Sequence, residues 1–481
     1  VDGSGTVPRP GCVGVRSNTI VHIGPPCELA SQETIDATGL VVSPGFIDPH
    51  THADDDLDSN NEAYLRQGVT TLFIGNDGGG GTVKAARQHL DKHGVSTNVG
   101  LFSGHGAVRE SVMGYENRAP TESELDQMKA LVKADMEAGS LGLSSGLFYA
   151  PGSYANTDEL VELARVAAKY NGIYDSHIRD EGNYNINVGL LGSIRELIDI
   201  AEQANIPGHI AHIKALGPAV HGQSHRVISL VEKARKQGVI ITADQYPWLA
   251  SGTRLSNALL PRSVMEGGKQ QMHKRLNDIA YVESIRAQIE QNLVRRGGAT
   301  ALLITGQSAH QGKTLEEAAN TLQLDTIKTA ISIVLEGDPA VASFMMAESD
   351  VKNYMVRPWV VTGSDGSTGH PRKFGTFPHK YQRYVVEEKV LTMAHFVENS
   401  SARTAQIFGL CRRGTLQKAM AADIAIWDPV NFRAEATYQK PTEPAVGVIH
   451  LMVNGQWAIR NSQLTEIRAG TVINLTECSS E

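Results

Sequence analysis

The chain has 481 residues, 44 Lys and Arg against 52 Asp and Glu, a net charge of −8, and 41% hydrophobic with 20% charged residues. This is the make-up of an ordinary globular protein, long enough for a large α/β barrel with appendages. It excludes a basic footprint for nucleic acid or an anionic membrane, and no apolar run of about eighteen residues marks a bilayer span.

The opening Val1-Asp2-Gly3-Ser4-Gly5 reads like the middle of a strand–turn unit from which something upstream has been removed. Cytoplasmic, periplasmic and secreted placements are all compatible with it. Cys12, Cys27, Cys411 and Cys478 lie in the terminal segments, none in C-x-x-C spacing. They read as solitary thiols, with disulfides as the alternative if the protein is exported.

In chain order, residues 1–44 carry short strand runs at Gly11–Val15, Thr19–Gly24 and Gly39–Val42. The same style returns at Ala422–Trp427 and Val446–Val453, bounded by Asp, Pro, Asn and Gly. The expectation is one small β-sandwich domain built from residues 1–44 and 411–481, with residues 45–410 inserted between them. That middle alternates apolar runs with helical patterns. The runs are Thr70–Ile74, Val99–Phe102, Leu141–Ser145, Ile173–His177, Gly208–His212, Ile240–Asp244 and Val360–Asp365. Helices with 3.6-residue apolar periodicity follow, as at Glu159–Tyr170 and Ile194–Gln203, and another starts near Val83. Repeated βα units predict a (β/α)₈ barrel, with a doubly wound sheet as competitor. The barrel is favoured because candidate ligands end many different strands, and only a barrel gathers those ends on one face. Residues 252–300 fit βα units poorly and read as an insertion over the site.

The strongest local signal is Pro44-Gly45-Phe46-Ile47-Asp48-Pro49-His50-Thr51-His52. An apolar strand runs into H-x-H, and two-residue alternation turns both imidazoles to one side, a good start to a zinc site. Asp77, His105, His177, His212, Asp244 and Asp365 supply further candidate ligands or their supports.

This strand resembles the first strand of the amidohydrolase superfamily. More narrowly, Gly68-Val69-Thr70-Thr71, Gly104–Arg109, Leu143–Leu147, Ser176–Glu181, His212-Ile213-Lys214, Asp244–Pro247, His370-Pro371-Arg372 and Gly375–Pro378 are similar to segments of the N-acyl-D-amino-acid deacylases, in family order. The resemblance implies one or two Zn²⁺ ions. It places His50, His52 and Asp365 around one metal position, and His177 and His212 around the second. Four neutral imidazoles and a carboxylate suit zinc with an open coordination position.

The chain departs from the deacylase pattern at Asp77, where that pattern has a cysteine. A carboxylate can bridge two cations as a thiolate does, though it is harder and less zinc-selective. Other branches use a carbamylated lysine on the fourth strand, and Leu141–Tyr149 contains no lysine. Asp77 is therefore the bridging candidate; the competing reading is a turn aspartate satisfying backbone amides in the glycine-rich loop. That loop lacks the P-loop pattern.

Asp365 is the candidate catalytic residue, a carboxylate placed to take a proton from an activated water and return it to the leaving nitrogen. Lys214, Tyr246 and Arg372 are, by resemblance, the groups that hold the α-carboxylate of an N-acyl amino acid, through guanidinium, ammonium and phenol donors. Tyr246 could instead polarise the scissile carbonyl. His105 is expected to line the site. Arg179, Asp180 and Glu181 either orient His177 or cap the following helix. Asp48 and Asp244 are expected to orient histidines. Asp54-Asp55-Asp56, Arg254 and Arg262 read as solvated, with an acidic substrate side chain as the alternative partner of the two arginines.

The functional expectation is metal-dependent hydrolysis of N-acyl-D-amino acids, small-molecule substrates, with no nucleic-acid or membrane partner. A D-dipeptidase or cyclic-amide hydrolase is the rival within the superfamily, and a catalytically inactive barrel the rival outside it.

Overall fold

Strands form where β-branched and aromatic runs are bounded by Gly, Pro and Asp. The computed structural model describes residues 1–25, 27, 30–56, 60–185 and 187–475. It begins with β1 (Val13–Arg16), β2 (Thr19–Ile23) and β3 (Val41–Pro44). Next come β4 (Phe46–Asp48), β5 (Val69–Ile74), β6 (Asn98–Leu101), β7 (Ser103–Gly104), β8 (Gly142–Gly146), β9 (Ile173–His177), β10 (Gly208–Ile210) and β11 (Ile241–Gln245). An excursion contributes β12 (Ala250–Arg254), β13 (Leu302–Ile304) and β14 (Ala340–Phe344), before β15 (Val360–Thr362). The chain ends in β16 (Ile424–Trp427), β17 (Val448–Val453), β18 (Gln456–Arg460) and β19 (Gln463–Leu464).

The middle strands are parallel, in the orders β4-β5-β6 and β7-β8-β9-β10-β11-β15. β6 and β7 flank Phe102, whose amide donates to Ile74 (3.0 Å), so the two runs continue one another. Their far ends meet at a parallel bridge between Thr51 and Gly366. There His52 donates to the carbonyl of Gly366 (3.1 Å) and Asp365 to that of His50 (2.9 Å). The architecture is that of the (β/α)₈ barrels, and the meeting of first and last strands sets H-x-H beside Asp365.

Helices cover the outside. Thr157–Ala168 buries Leu160, Leu163, Ala164 and Ala167 at helical spacing. It starts two residues before the sequence-based estimate because Asn156 accepts from the Glu159 amide (2.9 Å) and caps it.

The terminal strands make an antiparallel sheet in the order β19-β18-β17-β16-β3, drawing on both ends of the chain. The β1–β2 hairpin packs Ile20 against Ile424, Ile426 and Met452. The cysteine expectation is corrected here. Cys12 and Cys27 form a disulfide with their Cα atoms 5.4 Å apart, and Cys411 is also disulfide-bonded. Spacing alone could not reveal this, because the hairpin brings Cys12 and Cys27 together only after folding. Cys478 lies outside the described residues.

Residues 250–344 form an antiparallel sheet, β12-β14-β13, with helices packed on a separate apolar cluster that includes Leu255, Ile289, Leu302, Ile304 and Ile333. The segment expected at 252–300 falls within it. Among the described residues no helix is long and apolar enough to cross a membrane.

Phe46, fully buried on β4, ties the barrel to the terminal sheet. Its ring stacks on Phe377 at 5.4 Å, meets Phe396 edge-on at 5.4 Å, and neighbours Phe432, itself 4.9 Å from Trp427. Phe46→Ala is expected to destabilise by about 3–5 kcal/mol, read as a lower urea midpoint. A loss below about 1 kcal/mol would show that this cluster does not couple the two parts.

Candidate metal centre

The H-x-H strand delivers its imidazoles to the end of the barrel where Asp77, His177, His212 and Asp365 also arrive, each from a different βα connection. The Asp77 carboxylate stands at the centre. Its Oδ1 lies 3.4 Å from His50 Nε2 and 3.4 Å from His212 Nε2. Its Oδ2 lies 3.6 Å from His52 Nε2 and 3.5 Å from His177 Nδ1. Asp365 Oδ1 closes one side, 3.1 Å from His52 Nε2 and 3.9 Å from His50 Nε2. Glu181 closes the other, 3.7 Å from His177 Nε2 and 3.1 Å from His212 Nδ1.

Local backbone explains how these side chains meet. Asp77 (φ 55°), His212 (φ 36°) and Asp365 (φ 48°) all sit in the left-handed region, which non-glycine residues occupy at a cost and which clusters at functional sites. The Asp77 loop lies directly on β8. A Cβ at Gly146 would stand 2.1 Å from the Asp77 carbonyl oxygen, so only glycine permits that approach. Ser144 Oγ accepts from the Gly78 amide (3.1 Å) and donates to the Gly75 carbonyl. Asp54 accepts from the Gly75 amide (3.1 Å), and Asn76 donates to Pro49 (3.1 Å) and to Asp175 (3.3 Å). Backbone amides of the loop are thus served by Ser144 and Asp54, while Asp77 turns its carboxylate to the imidazoles. The turn-aspartate alternative does not describe it.

Behind the cluster, Asp244 approaches His50 Nδ1 at 3.8 Å and His209 Nε2 at 3.2 Å. Asp48 accepts from the Ser364 amide (2.9 Å), holding β4 to the connection after β15. A Cβ at Gly363 would fall 2.3 Å from Asp244 Oδ1, so glycine there makes room for that support.

Burial works against charging His50 and His212, yet the surrounding carboxylates push them up to about 9 and about 10. Burial likewise opposes ionisation of Asp77 and Asp365. For Asp77 the imidazoles of His177, His50 and His212 overcome it; for Asp365 the Arg372 guanidinium, 2.6 Å away, does so with His212, and both carboxyls are held well below their ordinary range. Lys214, 2.5 Å from Glu181, does the same for that carboxyl.

Both ring nitrogens of His50 and of His177, and Asp77 Oδ1, are buried without a hydrogen-bond partner among the described residues. Sets of three donor atoms (His50, Asp77 and His212; His50, His52 and Asp365; His177, Glu181 and His212) lie within 4.8 Å of one another. Orphaned, converging nitrogen and oxygen donors fit a borderline-soft divalent cation, and buried polar atoms are otherwise rarely left unpaired.

A pocket opens on the cluster, lined by Tyr149, His177, Glu181, Lys214, Tyr246, Arg296 and Asp365 among others. Lys214 Nζ lies 2.6 Å from His212 Nδ1 and 5.5 Å from the centre of the Tyr246 ring. Arg372 stands over the same ring at 4.8 Å, its Nη2 donating to Ser367 (2.9 Å). The three sequence-predicted substrate groups therefore gather around the Tyr246 ring, though Lys214 and Arg372 are each already paired with a site carboxylate.

Other expectations need correction. His105 turns away, bonding Glu159 at 2.8 Å beside the Arg109–Glu159 pair, because that buried carboxylate needs partners. Arg179 pairs with Glu196, and Asp180 accepts from the Gly182 and Asn185 amides; both order the loop. Arg254 is exposed, but Arg262 stacks at 4.1 Å over Phe148. The side chains of Asp55 and Asp56 lie outside the described set. Asp175 and Tyr149 were not singled out from the sequence, and Glu181 was named there only as a group that orients His177 or caps the following helix. Asp175 precedes His177 by two residues on one strand face, the same spacing as Asp48 and His50, and that alternation was the available signal. Tyr149, its ring 4.7 Å from His177, follows a strand in an apolar run and carried no such mark.

A (β/α)₈ barrel with an H-x-H strand, two later histidines and a carboxylate after the last strand defines a class of metal-dependent hydrolases. Residues 41–458 match the amidohydrolase family, and the chain belongs to it. It is 30% identical to the D-aminoacylase of Alcaligenes xylosoxydans xylosoxydans, over 99% of this chain and 96% of that one. The N-acyl-D-aspartate deacylase of the same organism is 27% identical over 98% and 93%. The solved N-acyl-D-glutamate deacylase of Bordetella bronchiseptica, complexed with zinc and a phosphonate mimic of the tetrahedral intermediate, superposes with a TM-score of 0.84 at 28% identity, over 98% and 97%.

His50 and His212, whose neighbouring carboxylates push them up to about 9 and about 10, would shed protons on ligating a cation. Metal uptake at pH 7 should therefore release protons, and affinity should weaken as pH falls. Calorimetry in buffers of different ionisation enthalpy reads this directly; identical heats in all buffers would refute it.

Proposed function

We propose that this chain hydrolyses the amide bond of N-acyl-D-amino acids, giving a carboxylate and a free D-amino acid. The observation that carries the reading is the convergence of four histidines and the Asp77 and Asp365 carboxylates on a pocket whose wall holds Lys214 and Tyr246. Similarity over nearly the whole chain to relatives named for that activity supports it. In this reading His50, His52 and Asp365 hold one metal position, His177 and His212 the other, and Asp77 bridges. One or two zinc ions occupy them. Residues 1–44 and 411–481 form one domain around the hydrolase barrel of 45–410, with 252–300 over the site.

Bound zinc supplies Lewis acidity, acidifying water and polarising a carbonyl. The chain's own residues do the rest. Asp365, kept ionised by Arg372 and positioned against His52, takes the proton of the attacking water on its carboxylate and returns it to the amide nitrogen as the C–N bond breaks. Lys214, Tyr246 and Arg372 receive the α-carboxylate, which joins an existing ion-pair network and so fixes the acyl group over the centre. Tyr149 stays a neutral phenol because burial, Asp77 and Asp365 raise it, and its ring lines the same pocket.

A screen of N-acetyl-D- and N-acetyl-L-amino acids with zinc-loaded enzyme should show turnover confined to the D series, lost on chelation and restored by zinc. Turnover of the L series alone, or none at all, sinks the reading. Asp365→Ala should lower kcat roughly 100- to 10,000-fold. Near-normal kcat with stoichiometric metal would remove Asp365 from the proton-transfer role.

A further inference from the structure

Asp365 and the substrate α-carboxylate both depend on Arg372, whose Nη1 stands 2.6 Å from Asp365 Oδ2. Two residues earlier lies a histidine to which neither role gives a task. His370 is buried, and both of its ring nitrogens are occupied. Nδ1 accepts from the Arg372 amide (3.1 Å), and Nε2 donates to the Ala250 carbonyl of β12 (3.0 Å). One acceptor and one donor define a neutral ring with its proton on Nε2. Burial and the Arg372 charge hold the group well below its ordinary range, which preserves that form. The Arg372 amide opens the helix Arg372–His379, where first-turn amides have no intrahelical acceptor. His370 supplies one, at the residue whose side chain reaches Asp365 and, through Nη2, Ser367 (2.9 Å).

Strand β12 can lie this close because Gly252 has no side chain. A Cβ there would stand 3.1 Å from Arg372 Nη2 and 3.3 Å from His370 Cδ2. The turn before His370 is set in the same way: Gly369 sits at φ 83°, and a Cβ on it would fall 2.9 Å from Thr305 Oγ1. Tyr438, from the C-terminal segment, meets the imidazole edge-on at 5.1 Å, and Trp248 does so at 6.2 Å. One ring thus joins the start of the Arg372 helix to the sheet of residues 250–344, whose Ser251, Gly252 and Thr253 line the pocket.

An arginine side chain has many rotamers, and a shift of about 1 Å in a group that orients substrate costs on the order of 100-fold in rate. We propose that His370 is a positioning residue for the reaction: it fixes Arg372 against Asp365 and registers both on β12, so that the α-carboxylate meets a guanidinium already in place. This rests on the deacylase reading and adds to it the residue that sets its clamp. His370 acts through Arg372, and the two ring nitrogens have separate tasks. Nδ1 places the arginine, and Nε2 ties that placement to the pocket-lining strand.

The test uses zinc-loaded, full-length enzyme and two substrates: the N-acetyl-D-amino acid it turns over best, and the C-terminal amide of that compound, which lacks the α-carboxylate charge. In His370→Ala, kcat/KM for the acid should fall roughly 10- to 100-fold and that for the amide much less, with zinc content unchanged. His370→Asn, whose amide oxygen stands near the Nδ1 position, should recover most of the loss. His370→Phe keeps the bulk of the ring without either bond and should not; it also replaces His370→Ala should that variant fail to fold. Added to Arg372→Met, either His370→Ala or His370→Phe should cost less than about threefold more, because the group it positions is already gone. Equal losses for acid and amide, no recovery in His370→Asn, or losses that multiply in full with Arg372→Met overturn the positioning role and leave the deacylase reading standing. Wild-type enzyme that hydrolyses no N-acetyl-D-amino acid overturns both.

Discussion

A carboxylate buried where four imidazoles converge is the constraint on which the rest of this structure depends. Asp77 presents one oxygen to His50 and His212 and the other to His52 and His177, on a backbone held at positive φ. Isolated, such a buried charge would cost several kcal/mol. Surrounded by imidazoles that can carry protons or share a cation, it becomes the element that holds them together. The loop beneath it is specified accordingly: Gly146 stays bare so that Asp77 can approach β8, Ser144 and Asp54 accept from backbone amides that the aspartate would otherwise have served, and Asn76 ties the loop to the Pro49 carbonyl.

That arrangement requires the barrel to close. The first strand carries His50 and His52, the connection after the last carries Asp365, and backbone hydrogen bonds between residues 50–52 and 365–366 place them together. Phe46 and its aromatic neighbours brace the same strand from the terminal sheet, so packing far from the pocket bears on the angle at which H-x-H enters. Beyond the cluster, charge is compensated residue by residue, with Arg372 on Asp365, Lys214 on Glu181 and His209 on Asp244. Such pairing keeps the carboxylates ionised in a low-dielectric setting.

Much of the centre was legible because strands impose a two-residue period. His50 with His52 is a pattern that alternation alone turns to one side, and the strand Ile173–His177 has the bounds expected of it. Glu181 was harder. It lies four residues beyond His177 among Arg179 and Asp180, and only the fold separates the one that faces the pocket from the two that order the loop. His105 shows the reverse error: a histidine in a glycine-rich motif after a strand looks like a site residue, yet the buried Glu159 claims it. Cysteine pairing was equally hidden, since fifteen residues separate Cys12 from Cys27 in sequence and the hairpin closes that gap.

By itself the sequence determined the alternation of strand and helix, the sides to which alternating residues turn, and the identity of the donors, because these follow from short-range periodicity and side-chain chemistry. Only the tertiary structure decided which donors meet. Distances between His50, Asp77, His212 and Asp365 depend on closure of strands far apart in the chain, and no local pattern encodes that closure. It also decided that Arg296 is buried in the pocket lining and that half-buried Arg262 stacks on the pocket-lining Phe148 instead of standing free in solvent, since a separate sheet and helix set folds back against the barrel.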